Sequence, residues 1–337
     1  MYIGGNFTSI TGSNGTSYSR MRWAALNALD GNVTLADCSF SDVVYSIALV
    51  PNYPNYLAVG GSFASVSNTA RANLAMINPA TGTLWSYDYG INGVVYSIAM
   101  PITGTYAQML IAGGFTSVNG TTRNRLAMFN QWFSPSSLTS FNPNLNGSVR
   151  DIVYDESNKT LYATGEFTSA GEGAAITYRN YAAAFLTSTS VPIAWNPNLN
   201  NYGYCISIDP DYVYIGGNFS AVSGGSYTRY YAAAFSKSTG GIYANFRPDL
   251  NNAVNAISAG SVTLDNVMIG GAFSGFKSSV RKNLACIALA KTYLLYSWNP
   301  DVNGPVFSLD LGFNRLYVGG SFTMVNGGTA RINAAAF

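Results

Sequence analysis

The side chains that most often do chemistry are sparse in this chain, and one kind is missing. None of the 337 residues is a histidine, which removes the commonest general base, the commonest metal ligand and the imidazole of any Ser-His or Cys-His nucleophile pair. Carboxylates remain. Asp209 and Asp211 are close in sequence, as are Asp151 and Asp155, and glycoside hydrolysis needs only two carboxyl groups at a suitable separation. Asp209-Pro210-Asp211, however, reads as a solvated turn between two strands, where Asp binds its own backbone. Cys38, Cys205 and Cys286 form an odd, unphased set with neither disulfide-framework nor metal-ligand spacing, and they read as small buried residues. No Asp-rich calcium loop and no phosphate-binding glycine loop opening a helix is present. These residues predict no catalytic site, no metal, no cofactor and no enzyme.

One charged residue recurs in phase: Arg20, Arg71, Arg123, Arg179, Arg229, Arg281 and Arg331. A guanidinium offers several fixed donors to loop carbonyls and a flat face to an aromatic ring. The seven are expected to be buried struts, each tying a loop to the strand that follows it. The functional alternative is a ring of seven cations around an axial anion site. Acidic residues keep no matching phase, so no repeated carboxylate partner is expected.

A second candidate set is aromatic. The loops ahead of these arginines vary in length and expand at Thr8–Ser19, Thr168–Tyr178 and Ser220–Thr228. Each expanded loop carries a tyrosine beside its arginine, Tyr18, Tyr178 and Tyr227, with Tyr181, Tyr230 and Tyr231 just beyond. Tyr among Ser, Gly and Asn is adaptable contact chemistry for protein or glycan. The plain alternative is an elaborated surface loop.

The elements that must position these residues form a repeat. An apolar run ends in a glycine pair, one variable residue and Phe, at Gly4-Gly5-Asn6-Phe7, Gly60-Gly61-Ser62-Phe63, Gly216-Gly217-Asn218-Phe219, Gly270-Gly271-Ala272-Phe273 and Gly319-Gly320-Ser321-Phe322. Weaker copies end at Phe115 and Phe167, so the seven phenylalanines lie 49 to 56 residues apart. A period of that length marks an array of one supersecondary unit. Within it, four short strands are predicted: one like Val44-Tyr45-Ser46-Ile47-Ala48-Leu49, one carrying the glycines, one opening with the arginine, as Arg71-Ala72-Asn73-Leu74-Ala75-Met76-Ile77, and one ending in an aromatic before Asn-Pro, as at Trp195-Asn196-Pro197. Four strands per unit match a β-propeller blade. The glycines would allow close backbone approach, and Asn-Gly before the first strand suggests a tight turn.

The order Gly-Gly-x-Phe-Thr/Ser, Arg-x-x-Leu/Ala-Ala, Trp-Asn-Pro-x-Leu/Val-Asn-Gly-x-Val resembles the delta-60 repeat family and, more distantly, is similar to kelch propellers. That resemblance implies an all-β propeller in an extracellular or surface-associated protein. The ends are incomplete: the first unit begins at its second strand and the last stops after its third. Seven four-stranded blades are therefore expected, two of them short, with six as the alternative. Residues 1–337 are expected to be one propeller domain within a longer or processed chain.

Composition narrows the partners. Hydrophobic residues make up 48% and charged residues 9%, with a formal charge of +2. Nothing there is an electrostatic footprint for nucleic acid, and no apolar stretch reaches the roughly 18 residues that span a bilayer. Low charge and many aromatics favour contact with neighbouring proteins. The expected function is a non-enzymatic structural or adhesive module, with a lectin-like glycan binder as the alternative and a carboxylate hydrolase behind both.

Overall fold

The computed structural model describes residues 1–102, 107–171, 173–261, 264–288, 295–312 and 315–337. The chain forms two compact units, one of residues 1–159, 171–175 and 187–190, the other of residues 160–170, 176–186 and 191–337. Apart from three short 3-10 turns, the regular structure of the described residues is strand. No helix among them is long and apolar enough to cross a membrane.

In the first unit, Val44–Leu49, Leu57–Gly61 and Leu74–Ile77 pair antiparallel in chain order, and Val95–Ala99, Met109–Gly113 and Leu126–Phe129 repeat the arrangement. Tyr2–Gly4 and Trp23–Ala25 form a two-stranded sheet. The second unit holds three sheets of the same order, starting at Gly203–Ile208, Val254–Ser261 and Val306–Gly312. There, Thr160–Gly165 also pairs with Ala182–Leu186. Second and third strands such as Leu57–Gly61 and Leu74–Ile77 are buried along their whole length. Sheets covered on both faces need continuous apolar or small residues rather than alternation, which is what Leu-Ala-Met-Ile and Ala-Ala-Ala-Phe provide.

The expected fourth strand shortens to a single bridge: Leu26 to Val33, Ile77 to Leu84, Phe129 to Leu138, Phe185 to Pro192, Phe235 to Ile242 and Ile287 to Leu295. The loop after each Gly-Gly-x-Phe is more regular than expected. It folds as a small antiparallel hairpin in all seven repeats, for example Ser65–Val66 with Thr69–Ala70.

First strands of successive repeats lie side by side in each unit. They are joined by side chain rather than ladder: Ser46 Oγ accepts the Ile98 N–H at 3.1 Å and Ser207 Oγ accepts the Ala259 N–H at 3.0 Å. Each first strand with a resolved register has a one-residue slip after its opening residue, between Val44 and Ser46, Val95 and Ser97, Gly203 and Cys205, Val254 and Ala256, and Val306 and Ser308. This is a β-bulge.

The two glycines of the pair have different jobs, and neither needs a left-handed backbone. A Cβ on the second would strike a main-chain oxygen at the bulge, as Gly61 against Val43. A Cβ on the first would strike the opening valine of the next repeat, Gly60 lying 2.6 Å from Val95 Cγ1 by that measure. Gly4 with Val44, Gly216 with Val254 and Gly270 with Val306 repeat the contact. One repeat inverts it: Thr164 replaces the glycine, and Gly203 replaces the valine it faces.

Nor does the asparagine shortly before the first strand make the expected tight turn. Asn92 Oδ1 accepts the N–H groups of Thr116 and Ser117, both at 2.8 Å, while its Nδ2 donates to the Thr116 hydroxyl. Asn200, Asn251 and Asn303 do the same in their repeats. The glycine after it serves close approach, since a Cβ on Gly93 would sit 2.9 Å from Phe115 Cα.

Candidate interaction surface

The repeat arginines do not open the third strand as expected; each follows the hairpin and stands three residues before that strand begins, and their guanidinium groups bind main-chain oxygens. Arg20, Arg123, Arg179, Arg229, Arg281 and Arg331 each donate Nη1 to the carbonyl of the preceding residue, at 2.8 to 3.1 Å. Six arginines donate Nη2 to a carbonyl 14 to 16 residues downstream: Thr34, Trp85, Thr139, Ile193, Ala244 and Tyr296. Five of those six residues also donate their own N–H to the third strand, as Trp85 does to Met76 at 2.8 Å. The arginine thus takes the carbonyl at which the fourth-strand bridge stops, so a side chain stands in for the next rung.

Arg71 and Arg229 are buried, Arg20, Arg123, Arg179 and Arg281 are half-buried, and Arg331 is exposed with its local bond alone. Burial lowers the pKa of Arg123, Arg179 and Arg229, yet a guanidinium stays charged at working pH. Two arginines have carboxylate partners the sequence did not suggest, Arg20 with Asp37 at 3.4 Å and Arg71 with Asp88 at 3.1 Å. All seven belong to the third-strand side of their sheets. Within each unit the side-by-side first strands form the opposite edge of the sheets, away from the guanidinium groups.

The loop tyrosines divide. Tyr178 is 75% exposed on its hairpin, Tyr227 is 47% and Tyr230 43%. Tyr18 is half-buried, with the Arg20 guanidinium carbon 5.6 Å from its ring centre. Tyr181 and Tyr231 are half-buried and hold the left-handed backbone position two residues after the arginine, at φ 64° and 66°. Tyr181 meets the exposed Tyr202 edge-on at 5.5 Å, and Tyr231 meets Tyr230 at 6.5 Å.

Asp209 is used up by its own turn. Oδ1 accepts the N–H groups of Asp211 at 2.8 Å and Tyr212 at 2.6 Å, and Oδ2 accepts the Tyr214 hydroxyl at 2.6 Å. Asp151 accepts the Ser97 hydroxyl at 2.8 Å, and buried Asp155 accepts the Ser157 hydroxyl at 2.6 Å. Cys38, Cys205 and Cys286 are all buried. Burial pushes the Cys38 thiol up to about 12 and the Cys286 thiol up to about 11.

Sequence reasoning passed over the bulge positions. Tyr45 is 51% exposed and Phe307 56%. Tyr45 packs edge-on against Tyr96 at 5.2 Å, and the Arg150 guanidinium carbon lies 4.4 Å from the Tyr96 ring centre. The available signal was the in-phase Tyr after the opening valine at Tyr45 and Tyr96. Strict alternation says nothing of a slip, so the signal reads as an ordinary strand position.

Comparison with known proteins supports this geometry. A family described as "Domain of unknown function (DUF5122) beta-propeller" matches residues 108–131, which carry one repeat's second strand, hairpin, Arg123 and third strand. No curated protein matches the chain. Among solved structures, a chain of the crystal structure of the mitotic checkpoint complex is similar over 95% of this chain and 88% of its own length, with TM-score 0.63 and 12% identity. In all, 832 chains of solved structures match, a breadth that marks a fold rather than an activity. The fold is an all-β propeller built from repeated antiparallel sheets.

Proposed function

We propose that this chain is a non-enzymatic propeller module that acts through protein contacts, within a surface-associated or extracellular protein or assembly. Its repeats are best grouped with the delta-60 family and, more distantly, with kelch. The observation that carries the reading is the exposure of aromatic side chains at repeated positions: Tyr178 and Tyr227 on the hairpins, Tyr230 just after one, Tyr45 and Phe307 at the bulges. Large rings left in water, the tyrosines among them with a polar tip, are typical anchors of contact surfaces. The engagement of Asp209 by its own turn favours a structural role for that carboxylate over a catalytic one. The solved neighbour is itself a component of a protein complex.

Light scattering on the purified chain, alone and mixed with lysate-derived partners after cross-linking at Tyr178 or Tyr227, tests the proposal. Specific complexes that vanish in a Tyr178→Ala/Tyr227→Ala variant are expected. A chain that stays monomeric and captures nothing would refute it. The exposed Tyr178 ring could equally stack on a sugar, and a glycan array with the same variant separates that second reading.

A further inference from the structure

One sheet of the first unit is a strand short. Tyr2–Gly4 pairs with Trp23–Ala25 alone, whereas Leu57–Gly61 and Met109–Gly113 each lie between a first and a third strand. Leu57–Gly61 is buried along its length, while Tyr2 and Ile3 are half-buried and Gly4 is exposed. The six first strands of the chain all sit in their own sheets, so none of the described residues covers this edge. An unpaired edge is a template for an added strand.

Four groups around that edge are set for a strand that is not there. In five other repeats a Cβ on the second glycine would strike a main-chain oxygen at the first-strand bulge, as Gly61 against Val43 and Gly320 against Pro305; on Gly5 it would meet only the Phe7 ring, at 3.4 Å. The same oxygen accepts the next N–H, from Ser62 at 3.0 Å and from Gly114 at 2.8 Å, but the Asn6 N–H has no such acceptor among the described residues. Ser41 Oγ braces the hairpin N–H groups of Ala64 and Ser65, both at 3.0 Å, as Asn92 braces Thr116 and Ser117. No described side chain does this for Thr8 and Ser9. Ser46 Oγ accepts the Ile98 N–H, yet Ile47, in that register one repeat earlier, receives no such serine among the described residues. Gly4 meanwhile packs on Val44 as Gly60 does on Val95, so the row of first strands can continue by one beyond Val44–Leu49.

We infer that the free edge of Tyr2–Gly4 is a docking site for an extended segment of a partner protein, which adds the missing first strand. The other repeats define the chemistry of that segment. A β-branched residue faces Gly5, as Val44 faces Gly61 and Val95 faces Gly113. A bulged residue follows, then a serine opposite Gly4, as Ser46 is opposite Gly60 and Ser308 opposite Gly319. This serine takes the Ile47 N–H. An apolar residue comes next, opposite Ile3, as Ile47 is opposite Val59. Three places before the β-branched residue an asparagine braces Thr8 and Ser9, as Asn92 stands before Val95. Main-chain pairing supplies the affinity, and these side chains fix the register.

The test is fluorescence anisotropy on the whole chain with a labelled peptide of the sequence of residues 92–99, Asn-Gly-Val-Val-Tyr-Ser-Ile-Ala, and a scrambled control. The peptide should bind with Kd of about 0.1 mM or tighter, and its Asn92→Ala form about fivefold more weakly for the lost hydrogen bonds. In the chain, Gly5→Ala adds a methyl that only Phe7 meets, so the melting temperature should stay within about 2 °C of the parent. Against the peptide that methyl strikes the incoming bulge oxygen, and affinity should fall about tenfold or more. Hydrogen exchange with the peptide bound should slow at Asn6 and Ile47, a readout that needs no variant. No binding by about 1 mM, equal binding of the scrambled peptide, unchanged affinity in Gly5→Ala, or protection only away from Asn6 and Ile47 would each overturn the site. A dimer of the chain alone that Gly5→Ala dissolves would give the edge to a second copy and overturn the partner segment. None of these outcomes involves Tyr178 or Tyr227, so if the peptide fails while their cross-linked complexes persist, this inference falls and the protein-contact reading stands.

Discussion

Exchanging Thr164 and Gly203 for the pair used elsewhere tests the packing rule between repeats. In four repeats a glycine faces the next repeat's valine; here Thr164 faces Gly203. Gly203→Val alone places a Cβ into Thr164 Oγ1 and 3.3 Å from Ile215 Cγ2. Overpacking of this kind costs about 1–3 kcal/mol. Thr164→Gly alone removes the hydroxyl that donates to the Tyr181 carbonyl at 2.8 Å, worth about 1 kcal/mol. It also adds roughly 0.5–1 kcal/mol of glycine backbone entropy and leaves a void. Additive behaviour would put the double variant about 3–5 kcal/mol below the parent. In Thr164→Gly/Gly203→Val the valine fills the space the threonine left, so a favourable coupling of about 2 kcal/mol is expected, within the range for residues in contact. Denaturant unfolding followed by tryptophan fluorescence on all four proteins measures it. A double variant additive to within about 0.5 kcal/mol would refute the idea that these positions exchange volume.

Other outcomes follow from the same geometry. Arg229→Ala strands the Thr228 and Ala244 carbonyls, which the buried guanidinium now satisfies, and should cost about 1–3 kcal/mol for each that is left buried. Lys should recover little of it for want of the planar fork. Arg331→Ala, at an exposed residue with one local bond, should stay within about 0.5 kcal/mol of the parent, and equal losses at both sites would refute the rung role. Cys38, held up to about 12 against an ordinary value of 9.0, keeps its proton in the fold while the unfolded chain loses it. Its stabilisation is therefore complete below pH 9 and declines towards pH 12. Cys38→Ala should flatten part of that alkaline decline in a pH series of unfolding curves, and native-state alkylation at pH 8 should be slow until denaturant is added.

Much of the repeat was legible. Phe7 to Phe322 set the period, the glycine pairs and apolar runs marked the second strands, and the arginines marked the segment leading into the third, because strand pattern and turn chemistry are local. The candidate site was less so. Tyr178, Tyr227 and Tyr230 are exposed as surface tyrosines should be, but Tyr181 and Tyr231 are half-buried at a left-handed position that no propensity assigns to tyrosine. Asn92 looked like a turn former because Asn-Gly usually is one; its partners, Thr116 and Ser117, lie 24 and 25 residues away.

By itself, then, the sequence determined that seven copies of one β unit are strung together, since burying small and apolar residues at a fixed period leaves no other regular solution. Tertiary structure alone decided what each copy does with its odd residues. Whether Arg71 finds Trp85, whether Gly203 tolerates Thr164, and whether Tyr45, Tyr96 and Arg150 meet depends on segments brought side by side from 14 to 54 residues apart. Those encounters are fixed by bulges and sheet packing, which carry no local signature in the chain.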